Sequence, residues 1–517
     1  MKRIISTLLL VAVMLTSVVA SFTGCNLIKK PGGNTGADFV MPEEGFNTEE
    51  TITIKFYHSM GAQLQEILNE TIVEFNKLYP NIIIEHESLG DYDGVRNQIQ
   101  TEITVGGQPN LAYCYPDHIA VYNEAGAVQT LDTLMSSDVV VTRADGTTET
   151  IGYTEAQLND FIQAYLNEGR AFGDGKLYSL PISKSTEVLY YNIDALKAAG
   201  VVDADGNAAP PKTWEEMAVA CEKLKAYDPN CIPLGYDSES NWFITMCEQY
   251  GSGYTSATGE NFLFDNETNR NFVKMFREWY QKKWVTTEAL SGGYTSNLFT
   301  GKSSSSSTDS KVPAGTRCYM CIGSTGGATY QQPEIETVPV LDENGNPVKD
   351  ENGKDVVNLV PKFEVGIASI PQVDPSNPKV ISQGPSVTIF KKDNPQEVLA
   401  TWLFAKYLTT NVEFQARVSM NNGYAPVIKS VAENPVYAEF LASASTLKIQ
   451  AYAVKVALDQ EKAYYVSPAF NGSSVARDQV GLLIQKCFTI EAGADLDATI
   501  KKVFEEKVAE CKYQSGQ

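Results

Sequence analysis

The sequence predicts an α/β fold built on parallel strands. Residues 51–57 alternate polar and apolar side chains, which is typical of a half-buried strand. Apolar residues then recur at helical spacing up to Tyr79, where the following Pro80 ends the helix, and residues 82–85 begin a second apolar strand. A strand, a helix and a strand within 35 residues predict a βαβ unit with parallel strands and a right-handed crossover.

Further elements follow along the chain. Thr213 suits the position before a helix, and Glu216 three residues later completes a capping pattern. The apolar stripe of this helix comprises Trp214, Met217, Ala218, Cys221 and Leu224. The turns Asp203-Ala-Asp-Gly, Asp342-Glu-Asn-Gly and Asp350-Glu-Asn-Gly predict surface hairpins, and the serines at 303–307 predict a mobile loop.

The N-terminus predicts a secretion signal. Lys2 and Arg3 precede an uncharged apolar run over residues 4–20, and Phe22-Thr-Gly-Cys follows. The run is too short for a membrane-spanning helix, which needs about 20 apolar residues. The final tetrapeptide resembles the lipobox of bacterial lipoproteins, which implies that residues 1–25 are a signal peptide and that Cys25 carries acyl chains. The alternative is an ordinary signal peptide cleaved near Ala20, with Cys25 a plain thiol.

Residues 26–50 predict a flexible linker, because they contain Pro-Gly-Gly-Asn-Thr-Gly and few large apolar side chains. A linker of this length spans roughly 25–30 Å on average. Two or more acyl chains anchor a protein stably, so we expect the mature chain to be tethered to the extracytoplasmic face of the cell membrane.

Composition narrows the classes of function. Lys+Arg total 41 and Asp+Glu 63; without Lys2 and Arg3 the mature chain has 39 against 63, a net charge near −24 that repels nucleic acid. Eight cysteines besides Cys25 permit disulfides without predicting them. Cys318-Tyr-Met-Cys has no second pair of its kind and only three histidines accompany it, so no metal site is predicted and no motif indicates a cofactor.

Six stretches resemble, in order, the solute-binding proteins of bacterial ABC importers, the carbohydrate-type family that includes maltodextrin- and glycerol-3-phosphate-binding proteins. The stretches are Ile54-Lys-Phe-Tyr-His-Ser-Met with Phe75-Asn-Lys-Leu-Tyr-Pro, Gly107-Gln-Pro-Asn-Leu, residues 178–192, Pro211-Lys-Thr-Trp-Glu-Glu, Ile381-Ser-Gln-Gly-Pro-Ser and Asn421-Asn-Gly-Tyr-Ala-Pro-Val. The resemblance runs from about residue 51 to the C-terminus, and the first and third stretches look closest to the glycerol-3-phosphate-binding subgroup.

The resemblance implies a two-lobed fold of the type II periplasmic-binding-protein kind, which closes about a hinge on a ligand in the cleft. It places residues 51–184 and 378–428 in the first lobe, and 185–377 and 429–517 in the second. The chain then crosses between lobes near residues 183–189, near 374–380 and just after Val427. Open parallel sheets bind ligands at the carboxyl ends of strands, which supports the same location.

The resemblance also implies ligand-binding residues. They are Tyr92, Asp117, Ser185, Trp242, Ser324, Thr325, Gly384 and Tyr424. Tyr92 and Tyr424 match cleft tyrosines, Ser185 a hinge-side serine, Gly384 a close backbone approach, and Ser324 with Thr325 a glycine-serine loop. Trp242 matches a stacking tryptophan, although its helical spacing equally suits a core residue, and Tyr92 equally suits a loop aromatic.

Two departures from the subgroup bear on the ligand. Its glutamate is replaced by Tyr115-Pro-Asp-His, so that Asp117 or His118 serves instead. Its late arginine is replaced around Ala469-Phe470, and Arg477 lies one to two helical turns later. Loss of a bidentate cation argues against a phosphate ligand, and tyrosines with acidic groups suit sugar hydroxyls.

We therefore predict a monomeric, lipid-anchored protein that captures a carbohydrate and delivers it to the permease subunits of an ABC importer. A glycerol-3-phosphate or glycerophosphodiester ligand is the alternative within the family. A secreted carbohydrate-active enzyme remains open, although the chain has neither Gly-x-Ser-x-Gly nor His-Glu-x-x-His. A signalling receptor of the same fold also remains open.

Overall fold

The computed structural model describes Gly36, residues 38–302, residues 311–491, Gly493 and residues 495–517. The predicted signal peptide with Cys25, residues 26–35 of the predicted linker and the serines at 303–307 lie outside the described residues. No helix in the part of the chain that the structure describes is long and apolar enough to span a membrane.

The strands are β1 (Ile52–His58), β2 (Ile82–Ser88), β3 (Leu111–Cys114), β4 (Val140–Thr142), β5 (Thr148–Thr150), β6 (Leu180–Pro181), β7 (Glu187–Asn192), β8 (Leu234–Tyr236), β9 (Val285–Thr287), β10 (Met320–Ser324), β11 (Ile335–Pro339), β12 (Val357–Pro361), β13 (Val365–Ser369), β14 (Val380–Ile381), β15 (Ser386–Ile389) and β16 (Tyr464–Tyr465).

The helices are α1 (Ala62–Leu78), α2 (Tyr92–Ile103), α3 (Pro116–Glu124), α4 (Asp132–Met135), α5 (Glu155–Asp160), α6 (Gln163–Glu168), α7 (Ile193–Ala198), α8 (Trp214–Tyr227), α9 (Glu239–Tyr250), α10 (Glu267–Gln281), α11 (Glu288–Ser291), α12 (Ser296–Thr300), α13 (Pro395–Thr410), α14 (Val412–Asn422), α15 (Pro435–Ala442), α16 (Ile449–Asp459), α17 (Ser473–Phe488) and α18 (Leu496–Gln514).

The first lobe contains the predicted βαβ unit. Its sheet has the order β2-β1-β3-β15-β6, in which β1 pairs in parallel with β2 and β3. Strand β15 lies between β3 and β6 and runs antiparallel to both. Helix α1 buries Ile67, Leu68 and Phe75 in the core beneath this sheet, as the helical spacing predicted.

The second lobe has a mixed sheet of order β13-β7-β10-β8-β9. Strand β8 pairs in parallel with β9 and β10, and β7 runs antiparallel to β10 and β13. Thr213 caps α8 by accepting the Glu216 N–H, as predicted. The C-terminal helices α17 and α18 share the core of this lobe with α9 and α10. The described chain therefore forms two α/β lobes, each with its own sheet and core.

Three segments connect the lobes. The first joins β6 to β7, the second joins β14 to β15, and the third follows α15 rather than Val427, because Ile428, Val431 and Tyr437 still pack in the first core. Val380 and Ile381 pair with β16 and lie in the second core, so the second segment begins after Ile381 rather than at 374–380. Tyr437 packs in the first core, although residues 429–517 were assigned to the second lobe.

The predicted surface turns are present and are built alike. Asp342 accepts backbone N–H groups of Asn344 and Asn346, and Asp350 does the same two and four residues on. Bridges flank each turn, and the pair lies between the exposed strands β11 and β12.

Candidate functional site

A cavity of about 280 Å³ lies between the two lobes and is lined by both of them and by the second connecting segment. Its residues include Tyr92, Arg96, Tyr115, Asp117, His118, Glu168, Asn241, Tyr254, Ser382, Gln383, Ser467, Ser473, Ser474 and Arg477. This volume is near the lower end of the roughly 300–1,000 Å³ that small-molecule sites occupy. It suits one small ligand.

The first-lobe wall is made by two helix N-termini that follow strands β2 and β3. Asp91 caps α2 by accepting the Gly94 N–H at 2.7 Å, which fixes Tyr92 at the start of the helix. Pro116 begins α3 and places Asp117 in its first turn. The rings of Tyr92 and Tyr115 lie 4.5 Å apart between centroids. This wall therefore presents aromatic faces beside a carboxylate.

The second-lobe wall centres on Arg477 in α17. Its Nη1 donates to Asn241 Oδ1 at 2.7 Å, and its Nε lies 3.6 Å from Asp117 Oδ2 across the cleft. The Asn241 amide in turn donates to Gln383 at 2.8 Å and to Glu187 at 3.0 Å. Both polar atoms of the Asn241 side chain thus have partners, which fixes the amide. The fixed amide holds the Arg477 guanidinium in one orientation, and the other N–H groups of that guanidinium remain for a ligand.

Glu187 supports this arrangement from within the second lobe. Its other carboxylate oxygen accepts from the Tyr236 hydroxyl at 2.6 Å. Burial raises the pKa of Glu187 to about 7, and hydrogen bonds from Tyr236 and Asn241 oppose that rise.

The N-terminus of α17 also faces the cavity. Gly472 occupies the capping position, so no side chain caps this 16-residue helix. Arg96 of the first lobe donates to Ser474 Oγ at 2.8 Å, which brings a second guanidinium to the same helix end. Free backbone N–H groups and the helix dipole favour an anion there, and two arginines strengthen that preference.

Several buried polar atoms around the cavity have no hydrogen-bond partner among the described residues. They are His118 Nδ1, Tyr254 OH, Ser382 Oγ and Ser467 Oγ, together with Glu168 Oε2, which has an ion pair with Lys184 but no hydrogen bond. Buried polar groups are almost always hydrogen-bonded in native proteins. Their convergence on one cavity indicates a polar ligand with several hydrogen-bonding groups.

The family model described as bacterial extracellular solute-binding protein matches residues 70–443, more than half of the chain. The chain belongs to this family. As a solute-binding protein, it is of the kind that serves ABC importers as a small-molecule receptor.

Relatives of this solute-binding protein bind different solutes. The sn-glycerol-3-phosphate-binding periplasmic protein UgpB of Escherichia coli K12 is 30% identical over 201 residues, which are 39% of this chain and 41% of that protein. The alignment therefore spans about two-fifths of this curated relative.

Solved structures share the fold. UgpB from Mycobacterium tuberculosis in complex with glycerophosphocholine superposes with a TM-score of 0.65 at 17% identity, covering 89% of this chain and 99% of that one. The cyclic alpha-maltosyl-1,6-maltose binding protein of Arthrobacter globiformis gives 0.62 at 15% identity, covering 89% and 99%. MalE from Bdellovibrio bacteriovorus bound to maltotriose gives 0.60 at 15% identity, covering 90% and 100%.

Of the residues predicted to bind ligand, Tyr92 and Asp117 line the cavity of this solute-binding protein. Tyr424 lies beside them, because its hydroxyl is hydrogen-bonded to that of Tyr92. Its ring also covers Gly326 of the second lobe, where a Cβ would come within 2.8 Å. These three side chains are thus brought together at the closure of the cleft.

The remaining predicted residues bond to protein. Ser185 and Gln383 exchange backbone hydrogen bonds, and Thr325 donates its backbone N–H to Thr186 O and accepts the Thr186 N–H at its Oγ1. Ser324 Oγ accepts from the Gly326 N–H. Gly384, at φ +100°, makes a close approach to the first connecting segment, since a Cβ would lie 2.7 Å from Ser183 O. Their roles toward a ligand stay predictions.

Trp242 requires a correction. It is 1% exposed and lies in the core of the second lobe, not on the cavity. Its ring stacks on Tyr236 at 4.9 Å and contacts Phe276 at 4.3 Å. With its faces occupied by protein, Trp242 has no surface on which to stack a sugar, and its alternative interpretation as a core residue holds.

Two arginines were misjudged from the sequence. Arg477 was set aside because it lies at a different position from the subgroup's arginine, yet α17 brings it to the cavity. Arg96 was not considered, although it lies four residues after Tyr92 on the same helix and hence on the same face. The argument that a phosphate-holding cation is missing is therefore removed.

Proposed function

We propose that this protein is the solute-binding component of an ABC importer for a small phosphodiester of the glycerophosphodiester type. The supporting observation is the meeting, in one small cavity, of Arg477, Arg96 and the uncapped N-terminus of α17. A guanidinium offers paired N–H donors that match phosphate oxygens, and a helix N-terminus adds backbone donors.

The charges around the cavity favour a singly charged phosphodiester over a doubly charged monoester. Arg477 lies against Asp117, and Arg96 lies 3.2 Å from Asp93. These carboxylates offset part of the positive charge, so that a dianion would meet more repulsion than a monoanion. The hydroxyls of Tyr254, Ser382 and Ser467 are available to a glycerol moiety. The names of relatives that bind glycerol-3-phosphate and glycerophosphocholine agree with this class of ligand.

A neutral sugar is the second candidate. The close pairing of Arg477 with Asp117 and the tyrosines of the first-lobe wall favour it, since paired charges and aromatic faces suit ring hydroxyls and apolar ring faces. The cavity volume restricts this candidate to a mono- or disaccharide.

The remaining parts of the proposal come from the sequence and the family. Cys25 attaches the chain to the outer face of the membrane, and the monomer hands its ligand to permease subunits without altering it. Relatives named as binding proteins support a receptor rather than an enzyme.

Calorimetry with glycerophosphocholine, sn-glycerol-3-phosphate and maltose tests the proposal. We expect glycerophosphocholine to bind most tightly and to be recovered intact. Arg477→Met should weaken its binding by about 100-fold, because removing a buried charged contact costs about 2–3 kcal/mol. Arg477→Lys keeps the charge but loses the paired donors, so its affinity for glycerophosphocholine should lie between those of the parent and Arg477→Met.

Arg417→Met is the matched control. Arg417 pairs with Glu70 at the surface of the first lobe, away from the cavity. It should leave all affinities unchanged. If the parent binds maltose more tightly than glycerophosphocholine, and Arg477→Met keeps its affinity, the phosphodiester proposal is contradicted and the neutral sugar is favoured.

A further inference from the structure

Lys184 is a fully buried cation in the first connecting segment. Its side chain is 0% exposed, and its Nζ donates to Gly384 O and to Ser386 Oγ, each at 3.0 Å. The same Nζ lies 2.6 Å from Glu168 Oε2, with which it forms a buried ion pair.

These contacts join the first two connecting segments and the loop that follows α14. Gly384 belongs to the second segment and Ser386 is the first residue of β15, and the backbone of Lys184 exchanges hydrogen bonds of 3.1 and 2.6 Å with Ala425 of the loop after α14. Gly384 is tightly packed here, because a Cβ would lie 3.0 Å from Lys184 Cα. Relative sliding of the segments at this point would break bonds to a charge that water does not reach, which is costly.

Glu168 connects this point to the ligand cavity. It ends helix α6 of the first lobe, is 3% exposed and lies on the cavity wall. Burial raises the pKa of its carboxyl, and the Lys184 ammonium opposes that rise. A ligand that fills the cavity therefore comes to lie beside the counter-ion of Lys184.

We propose that Lys184 and Glu168 form the pivot of the hinge, a positioning pair that keeps the first two segments fixed relative to one another and links that arrangement to occupation of the cavity. The proposal deepens the proposed function, since it takes this cavity as the binding site, but it does not depend on which solute binds. Rotation of the lobes then occurs on either side of the pivot rather than through it.

The first lobe contains a second buried lysine–glutamate pair, Lys406 and Glu149, that does not lie at the hinge. Lys406 is 3% exposed and bonds to Glu149 Oε2 at 3.0 Å, Thr150 O at 2.6 Å and Gly152 O at 2.9 Å. It too is a buried lysine with a glutamate and two further oxygens, but all its partners lie within one lobe. Glu149 also pairs with Arg143 at 2.8 Å, so losing this pair should destabilise the fold at least as much, whereas an effect on the hinge belongs to Lys184 alone.

The test compares the neutral double variants Lys184→Met/Glu168→Gln and Lys406→Met/Glu149→Gln with the parent. Small-angle scattering without ligand measures the separation of the lobes, and calorimetry with glycerophosphocholine measures affinity. We expect Tm to decrease at least as much in the Lys406 variant as in the Lys184 variant. The Lys184 variant alone should show a larger radius of gyration and at least roughly tenfold weaker binding, equivalent to about 1.4 kcal/mol.

Equal radii of gyration in the two variants and the parent would overturn the pivot, whatever the ligand proves to be. If the parent binds none of the probes, the proposed ligand fails while the scattering result still decides on the hinge. If Lys184→Met/Glu168→Gln does not fold, Ser386→Ala removes one acceptor of Lys184 and keeps the ion pair. It should expand the unliganded protein by a smaller amount, and a parent-like radius would overturn the proposal.

Discussion

The two walls of the cleft differ in chemistry. The first-lobe wall presents the adjacent, tilted rings of Tyr92 and Tyr115 beside Asp117. The second-lobe wall presents Arg477, an uncapped helix N-terminus and the unpartnered Tyr254 hydroxyl. One wall thus supplies apolar faces and acceptors, and the other supplies donors and positive charge. A ligand satisfies both only when the lobes are closed, so the difference between the walls is itself a source of preference for the closed form.

The lobes behind the walls also differ in their buried titratable groups. The three histidines of the chain, at positions 58, 86 and 118, all lie in the first lobe, and burial lowers the pKa of each. The second lobe contains Glu187 and Asp237, whose pKa values burial raises to about 7 and about 6. We expect the histidines of the first lobe and these two carboxyls of the second lobe to respond oppositely to acid.

The largest expected effect is on stability and concerns Trp242, which lies in the core behind the second-lobe wall. Trp242→Ala should lower the free energy of unfolding by about 3–5 kcal/mol, because it empties a space enclosed by aromatic rings. Thermal and chemical denaturation measure this loss. The affinity of the folded fraction for glycerophosphocholine should change by less than about threefold, which corresponds to about 0.7 kcal/mol of binding free energy.

Phe243→Ala is the control for Trp242→Ala, because Phe243 is 0% exposed on the same helix. Both variants should be destabilised without selective loss of binding. If Trp242→Ala is as stable as the parent but has lost its affinity for ligand, Trp242 is a ligand-binding residue of the wall and its assignment to the core is wrong.

The first wall was predictable from the sequence and the second was not. Tyr92 and Asp117 were predicted because they match cleft positions of the family, and in the structure they follow β2 and β3, whose carboxyl ends converge at the ligand side of the sheet. Arg477 comes from a helix more than 200 residues beyond Asn241, its partner in the structure. Periodicity shows that a helix has a buried face, but it does not show which lobe that face packs against.

Helix α9 illustrates the same difficulty within a single element. Trp242, Phe243, Ile244 and Met246 are all buried, and so are the polar Asn241 and Thr245. Because burial extends to the polar side of the helix, the apolar spacing alone does not mark which residues face ligand. The βαβ unit and the cap at Thr213 depend on neighbouring residues and were predicted correctly. The boundaries of the connecting segments depend on β14 pairing with β16, which lies more than 80 residues away.

The second effect is the acid response of the first lobe. His58 Nδ1 accepts the Met60 N–H, so its Nε2 carries the proton shared with His86 Nδ1 at 2.9 Å. A further proton on either ring has no acceptor in this arrangement. Burial, with a smaller contribution from His86, lowers the pKa of His58 to about 4. Because the folded pKa lies below the ordinary value of about 6.5, stabilisation is complete above that value and is lost as the pH falls toward 4.

The free energy of unfolding should therefore lose about 3 kcal/mol from His58 between pH 7 and pH 4. Denaturation of His58→Gln and the parent across this range isolates the effect, since the gap between the two should narrow by that amount in acid. Glu187→Gln serves as the opposite case. The raised pKa of Glu187 means that its neutral form is favoured in the fold, so its unfavourable contribution grows as the pH rises from 4.5 through 7. Parallel pH profiles for His58→Gln and the parent would remove the contrast between the lobes.

The smallest effect compares one hydroxyl from each wall. Tyr254 OH has no partner among the described residues and lies near Arg477, whereas Tyr92 OH is hydrogen-bonded to Tyr424. If the Tyr254 hydroxyl binds ligand, Tyr254→Phe should weaken glycerophosphocholine binding by about three- to tenfold and should leave Tm unchanged. One hydrogen bond contributes about 0.5–1.5 kcal/mol, which corresponds to this loss of affinity.

Tyr92→Phe is the matched control. It breaks a hydrogen bond within the protein, so it should lower Tm slightly and change the affinity less. Calorimetry and thermal unfolding on the two matched variants give both quantities. If Tyr254→Phe binds as the parent does while Tyr92→Phe binds weakly, the ligand is held by the first-lobe wall, and the division of donors and acceptors between the walls is wrong.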